Sequence, residues 1–232
     1  MNIIICGDLH CRWGDLNRLI DLYKPDIILQ CGDFGWWPHL HNIHSNSNNK
    51  FNQYGINPKK TKIYWCDGNH ENHEDLTLKV KKYGRVPISI DTNIYYMPRG
   101  SFLTLPDGRN VLFMGGADSI DKNLRIQGVS WWPEEIINYN DIQNLPDLKI
   151  DIVISHTIPK RILEQQNFQR MILGSPVNDP SINALDLVWE KYKPDLWYCG
   201  HWHTFYESRI ENTKFTILNQ CPSNLWFINL IY

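Results

Sequence analysis

Several things are missing from this 232-residue sequence, and each absence removes a class of protein. No apolar stretch approaches the roughly 20 residues that a membrane-spanning helix requires. There is no Cys-x-x-Cys. The six cysteines (Cys6, Cys11, Cys31, Cys66, Cys199 and Cys221) follow no regular spacing, which argues against a disulfide scaffold or a thiolate zinc site and for a reduced, cytoplasmic protein. Positive charge is not in excess: 23 Lys and Arg against 25 Asp and Glu leave a formal charge of -2. A basic field able to hold long duplex nucleic acid is therefore lacking, and the short clusters Lys59–Lys62 and Lys79–Lys82 read as solvated faces. The opening Met1–Asp8 carries no basic region and is too short for a secretory signal; it reads as a strand. No internal repeat and no linker divides the chain, so one domain spanning 1–232 is expected.

What the sequence does contain is ordinary globular material, 42% hydrophobic and 21% charged. Short apolar runs alternate with helical patterns, the mark of a layered α/β domain. Strands are expected at Ile3–Cys6, Ile27–Leu29, Ile63–Cys66, Ile152–Ser155 and Leu196–Cys199. A helix is expected where Leu16, Leu19, Ile20 and Tyr23 recur, ending at Pro25, with others over Asp75–Tyr83, Pro133–Ile142 and Ile182–Tyr192. Ile94–Met97, Phe102–Leu105 and Val111–Met114 suggest strands of a second sheet, and Phe205–Ile210, Phe215–Leu218 and Leu225–Ile231 an antiparallel tail. His39–Lys60 and Gly115–Trp132 have no period and read as loops.

Five polar motifs fall where expected strands end: Asp8-Leu9-His10, Gly32-Asp33, Gly68-Asn69-His70-Glu71, Ser155-His156 and Gly200-His201-Trp202-His203. In open α/β sheets ligands bind beyond the carboxyl ends of the strands, so these distant segments should converge on one rim. Carboxylate oxygen and imidazole nitrogen suit manganese, iron, zinc or magnesium, and a shared carboxylate can hold two such ions together. The glycines at 7, 32, 68 and 200 would bring backbone close to them. Cys6, Cys31, Cys66 and Cys199, each just before a motif, read as small packing residues.

The series Asp-x-His, Gly-Asp, Gly-Asn-His-Glu, His and Gly-His-x-His, running from residue 8 to 203, resembles the calcineurin-like metallophosphoesterase superfamily. The resemblance implies a four-layer α/β/β/α sandwich of two mixed sheets flanked by helices. It implies two divalent ions, manganese first, with Asp8, His10 and His203 on one, Asn69, His156 and His201 on the other, and Asp33 bridging. It makes His70 the catalytic residue facing the substrate, a phosphate ester attacked in line by activated water.

The chain departs from the superfamily's protein phosphatases in two places. Gly32-Asp33-Phe34-Gly35-Trp36-Trp37 puts tryptophans where those enzymes resemble Gly-Asp-x-Val-Asp-Arg-Gly, losing the aspartate that orients the histidine and the arginine that grips phosphate. The final motif is Gly-His-x-His rather than their Gly-His-Thr. Both differences favour a phosphodiesterase acting on nucleotides or short RNA or DNA over a phosphomonoesterase or protein phosphatase, with an inactive scaffold as the remaining alternative. Trp36, Trp37, Trp131 and Trp132 are candidate stacking surfaces, with a core or lid-packing role as the alternative reading, and Asp118, Lys122 and Arg125 candidate substrate contacts. Cys31–Phe34, Gly68–Glu71, Asn93–Tyr96 and Leu173–Pro176 are also similar to pieces of the lariat debranching enzymes, which carry Cys where this chain has Asp8; small bacterial and phage members match the length better.

Overall fold

The computed structural model describes residues 1–38, 55–172 and 177–230. Most of the His39–Lys60 segment and the Leu173–Pro176 segment lie outside them. Strand β1 (Ile3–Cys6) is buried on both faces. Ile3 and Ile5 point into a core shared by two sheets, while Ile4 and Cys6 point into a core under helices. That two-sided burial is why the run is continuously apolar rather than alternating.

The first sheet contains β1, β2 (Ile27–Gln30), β3 (Lys62–Trp65), β4 (Ile88–Asp91), β5 (Ile94–Tyr96) and β12 (Phe227–Asn229), in the order β12-β1-β2-β3-β5-β4. The second contains β6 (Phe102–Thr104), β7 (Asn110–Met114), β8 (Ile152–Ser155), β9 (Leu196–Cys199), β10 (Tyr206–Ile210) and β11 (Thr213–Ile217), in the order β10-β11-β9-β8-β7-β6. Each has a parallel centre and an antiparallel strand at each edge. The sheets face each other across Ile5, Leu29, Val111, Phe113, Ile154 and their neighbours.

Helices cover the outer faces. On the first sheet, α1 (Trp13–Tyr23) inserts Leu16, Leu19 and Ile20, and α2 (His73–Tyr83) inserts Leu76. Lys24 ends α1 in the left-handed conformation, followed by Pro25; Asn72 caps α2 by accepting from the Asp75 amide. On the second sheet lie α3 (Tyr139–Gln143), α4 (Lys160–Leu163), α5 (Gln166–Met171) and α6 (Pro180–Tyr192), the last packing Leu185, Val188 and Trp189 beneath Trp197 and Phe215. The four expected layers are present. No helix among the described residues is long and apolar enough to cross a membrane.

Three expectations need correction. β5 joins the first sheet, parallel to β3, because Asn93 takes a left-handed turn (φ 60°) that folds it against β4, a strand with too few apolar residues to stand out. Pro133–Ile142 is not one helix: a 3-10 turn at Pro133–Glu135 gives way to an extended Ile136, and Asn138 starts α3 with a reciprocal cap to Asp141. The tail is split, with β10 and β11 paired on the second sheet and β12 antiparallel to β1 on the first.

Candidate active site

The five motifs meet at one rim, drawn from both sheets. Asp8 and His10 follow β1, Asp33 follows β2, Asn69 and His70 follow β3, His156 follows β8, and His201 and His203 follow β9. The turns there are tight: His10, Asp33, His201 and His203 all have positive φ (44°, 51°, 66° and 49°), a cost that L-residues meet only where the surroundings fix them. Two glycines are required by proximity. A Cβ at Gly68 would strike the Asp33 carboxylate, and one at Gly200 would strike that of Asp8.

Asp8 and Asp33 are fully buried. His203 Nε2 lies 3.0 Å from Asp8 Oδ2, and His10 Nε2 lies 3.8 Å from the same oxygen and 3.3 Å from His203 Nε2. Asp33 faces both sides, its Oδ2 at 3.5 Å from His10 Nε2 and its Oδ1 at 3.4 Å from His156 Nε2. Asn69 Oδ1 is 2.9 Å from His156 Nε2 and 3.0 Å from His201 Nδ1. Asp8, His10 and His203 form one group able to hold a metal ion, and Asp8, Asp33 and His156 another.

The donor chemistry fits cations. His156 Nδ1 is 2.8 Å from the Cys31 carbonyl, which can only accept, so the ring proton sits on Nδ1 and Nε2 presents a lone pair. The Asn69 amide donates through Nδ2 to Ser119 Oγ at 3.0 Å, which turns Oδ1 toward that same lone pair. Two acceptors 2.9 Å apart repel unless a cation lies against both. Burial drives the His201 pKa down to about 3, leaving a neutral imidazole. Burial opposes charge on Asp33, yet the ring of imidazoles around it holds its pKa below the usual carboxylate range.

His70 borders the site without joining either group. Its main-chain N–H donates to Asp33 Oδ1 at 2.8 Å, and its ring meets His10 edge-on at 5.3 Å. Its Nε2 lies 2.9 Å from Arg125 Nη2. Burial and then Arg125 lower its pKa, against the pull of Asp33.

Beyond these residues opens a cavity of about 980 Å³ lined by Asp33, Asn69, His70, His201 and His203, by the 118–122 segment, and by Met171, Ile172, Val177, Asn178, Asp179, Trp202 and Thr204. Asp118 and Lys122 line it, paired with each other at 2.6 Å. Arg125 does not line it, and neither do Trp36, Trp37 and Trp131. Trp36 sits in the core under the first sheet, its indole N–H donating to Asp75 Oδ2 at 2.7 Å. Trp37 packs against Trp132 with ring centroids 5.8 Å apart. The aromatic ring that does reach the cavity is Trp202, in the variable position of the last motif, held edge-on by Phe168 at 5.2 Å.

Supporting contacts join segments far apart in the sequence. Glu71 accepts from the main-chain amides of Gly35 (3.1 Å) and Gly68 (2.6 Å), tying the second motif to the third. Asp67 takes a two-pronged contact from Arg99 (2.9 and 2.6 Å) and a third from the Tyr96 hydroxyl (3.0 Å); Arg99 also meets Asp141 and the carbonyls of Glu134, Glu135 and Ile136. This buried arginine fastens the third motif to the segment before α3. Its only sequence signal was an acidic residue directly before Gly68.

The family model described as calcineurin-like phosphoesterase matches residues 1–205. No curated protein matches. One solved structure superposes with a TM-score of 0.51 over 95% of this chain and 91% of its own, at 13% identity, a likeness of fold. Weaker likenesses are a Thermus thermophilus protein (TM-score 0.47, 11% identity, 95% of this chain and 90% of that one) and the phosphopantetheinyl hydrolase of Mycobacterium tuberculosis (0.48, 11%, 99% and 96%).

Proposed function

This chain belongs to the calcineurin-like phosphoesterase family and is a metal-dependent phosphoesterase; we propose that it prefers phosphodiesters, of nucleotides or short nucleic acids, over phosphomonoesters. The charge of the cavity carries this reading. Its described lining contains Asp118, Asp121 and Asp179 but no arginine, and its one lysine, Lys122, is already paired with Asp118. A phosphomonoester near neutral pH is largely a dianion, and sites that select it add a guanidinium or ammonium to the metals. A diester brings one charge and a second organic group, which needs surface rather than cations. Ile120, Met171, Ile172, Val177 and Trp202 supply that surface in a cavity large enough for a nucleotide.

In this proposal Asp8, His10 and His203 would hold one divalent ion and Asn69, His156 and His201 the other, with Asp33, which lies beside both His10 and His156, available to each. Manganese is the first choice, and iron, zinc and magnesium also suit these donors. When bound, the two ions activate water at neutral pH and neutralise charge on the phosphoryl oxygens. The protein's own part is to hold the ester against that centre. Asp33 fixes the His70 backbone, and the His70 ring donates a hydrogen bond to the phosphoryl or leaving oxygen. The walls around Trp202 take the organic groups. Ligands come from both sheets, which supports treating residues 1–232 as one catalytic domain.

Steady-state hydrolysis of bis-p-nitrophenyl and p-nitrophenyl phosphate with manganese tests the reading. A higher kcat/KM on the diester is expected; a clear preference for the monoester would replace the proposal with a phosphomonoesterase.

A further inference from the structure

We propose that Arg125 is the positioning residue for His70, fixing the imidazole as the tautomer that carries its proton on Nδ1. The role takes the place of the carboxylate whose position Trp36 and Trp37 occupy in the second motif, and it rests on the proposed part of His70 at the ester.

A guanidinium has five N–H donors, no acceptor, and a charge at every working pH. Its approach to His70 Nε2 at 2.9 Å is a hydrogen bond only if Nε2 presents its lone pair. The ring proton is then on Nδ1, and Nδ1–H is the donor that the ring has left to offer. A carboxylate at this position would do the reverse, drawing a proton onto the nitrogen it faces. Replacing an acceptor by a cation therefore swaps which ring nitrogen carries the proton, a choice that no reading of the Gly-Asn-His-Glu motif reveals.

Arg125 is built for this task rather than for contact with substrate. Its side chain is only 9% exposed. Nε donates to Asp121 Oδ2 at 2.9 Å, and Nη2 lies 2.6 Å from Asp121 Oδ1, so one carboxylate grips the fork from the side. Nη1 reaches the main-chain carbonyls of Asn69 (3.2 Å) and Ser130 (3.4 Å) and Glu135 Oε1 (3.4 Å). The contact to the Asn69 carbonyl matters most, because it fixes the guanidinium to the peptide that precedes His70. Ring and backbone of the histidine are thus held from two directions, the amide by Asp33 and Nε2 by Arg125. Local sequence makes the geometry possible: the 3-10 turn at Lys122–Leu124 brings Asp121 and Arg125, four residues apart, onto one side.

The test uses the full chain, the single variants Arg125→Ala, Arg125→Gln and His70→Asn, and the Arg125→Ala, His70→Asn double variant. Nitrogen-15 NMR of histidine-labelled protein, metal-free or zinc-loaded, reads the tautomer without reference to turnover. The wild type should show His70 protonated at Nδ1, and Arg125→Ala should show a mixture or the Nε2–H form. With an alkyl phosphodiester, whose leaving oxygen needs a hydrogen-bond donor, Arg125→Ala should lower kcat about tenfold or more with KM within about twofold and metal content unchanged. Arg125→Gln, which can still donate to Nε2, should retain more activity than Arg125→Ala, and added guanidinium should restore part of the loss. In a His70→Asn background Arg125→Ala should cost almost nothing further. An Nε2–H tautomer in the wild type would overturn the proposal even if no ester were turned over. Independent, multiplicative losses in the double variant would overturn it too, as would a rise in KM alone, which would make Arg125 a substrate contact.

Discussion

The His70 main-chain N–H donates to Asp33 Oδ1 at 2.8 Å, so the carboxylate proposed to face both metal ions also carries the residue proposed to face the substrate. Removing that carboxylate should therefore do two kinds of damage. Asp33→Ala is expected to lose bound metal and activity together, whereas His203→Ala, at the edge of one group, should lower metal content toward one ion per chain. Elemental analysis of the purified variants checks this. A wild-type metal content and turnover in Asp33→Ala would contradict a shared carboxylate.

His70 itself should be dispensable for metal and needed for turnover, since it lies outside both ligand groups. His70→Asn is expected to keep its metals and to lose about 10²–10⁴-fold in kcat on an alkyl ester. Its loss on a nitrophenyl ester should be much smaller, because a nitrophenolate departs without help. Equal losses on the two esters would show that His70 stabilises charge on phosphorus instead. Loss of metal would make it a ligand.

The buried pair Asp67–Arg99 should matter for stability more than for chemistry. Removing one partner of a buried ion pair strands the other, at about 3–5 kcal/mol. Arg99→Met leaves Asp67 buried with the Tyr96 hydroxyl as its remaining side-chain partner. Urea unfolding should show a loss of that order, with the denaturant slope little changed. A change below about 1 kcal/mol would mean that Asp67 takes up a proton or finds water.

Much of this was legible in the sequence because the site is written at strand ends. Asp8, Asp33, Asn69, His156, His201 and His203 each follow a short apolar run, and that placement alone brought them to one rim. What was not legible depends on contacts between distant segments. Trp36 resembles a stacking residue by its position beside Gly-Asp, yet the core under the first sheet has room for it and Asp75 a place for its N–H. Trp202 gave no sign, since a single aromatic between two histidines can point either way. Arg125 reads in the sequence as a candidate substrate contact in an irregular loop, and only the folded chain sets it on His70. The strand Ile88–Asp91 leaves little trace because it is short, carries two isoleucines and is buried only in part.

The most direct measurement compares specificity constants of the manganese-loaded protein on a dinucleotide, a mononucleotide carrying a terminal phosphate, and a phosphopeptide. The expected result is that kcat/KM for the dinucleotide exceeds both monoesters by about tenfold or more, as a cavity whose described lining has four aspartates and a single paired lysine should require. A monoester or phosphopeptide turned over tenfold better than every diester tried would contradict the proposal and leave a phosphomonoesterase in its place.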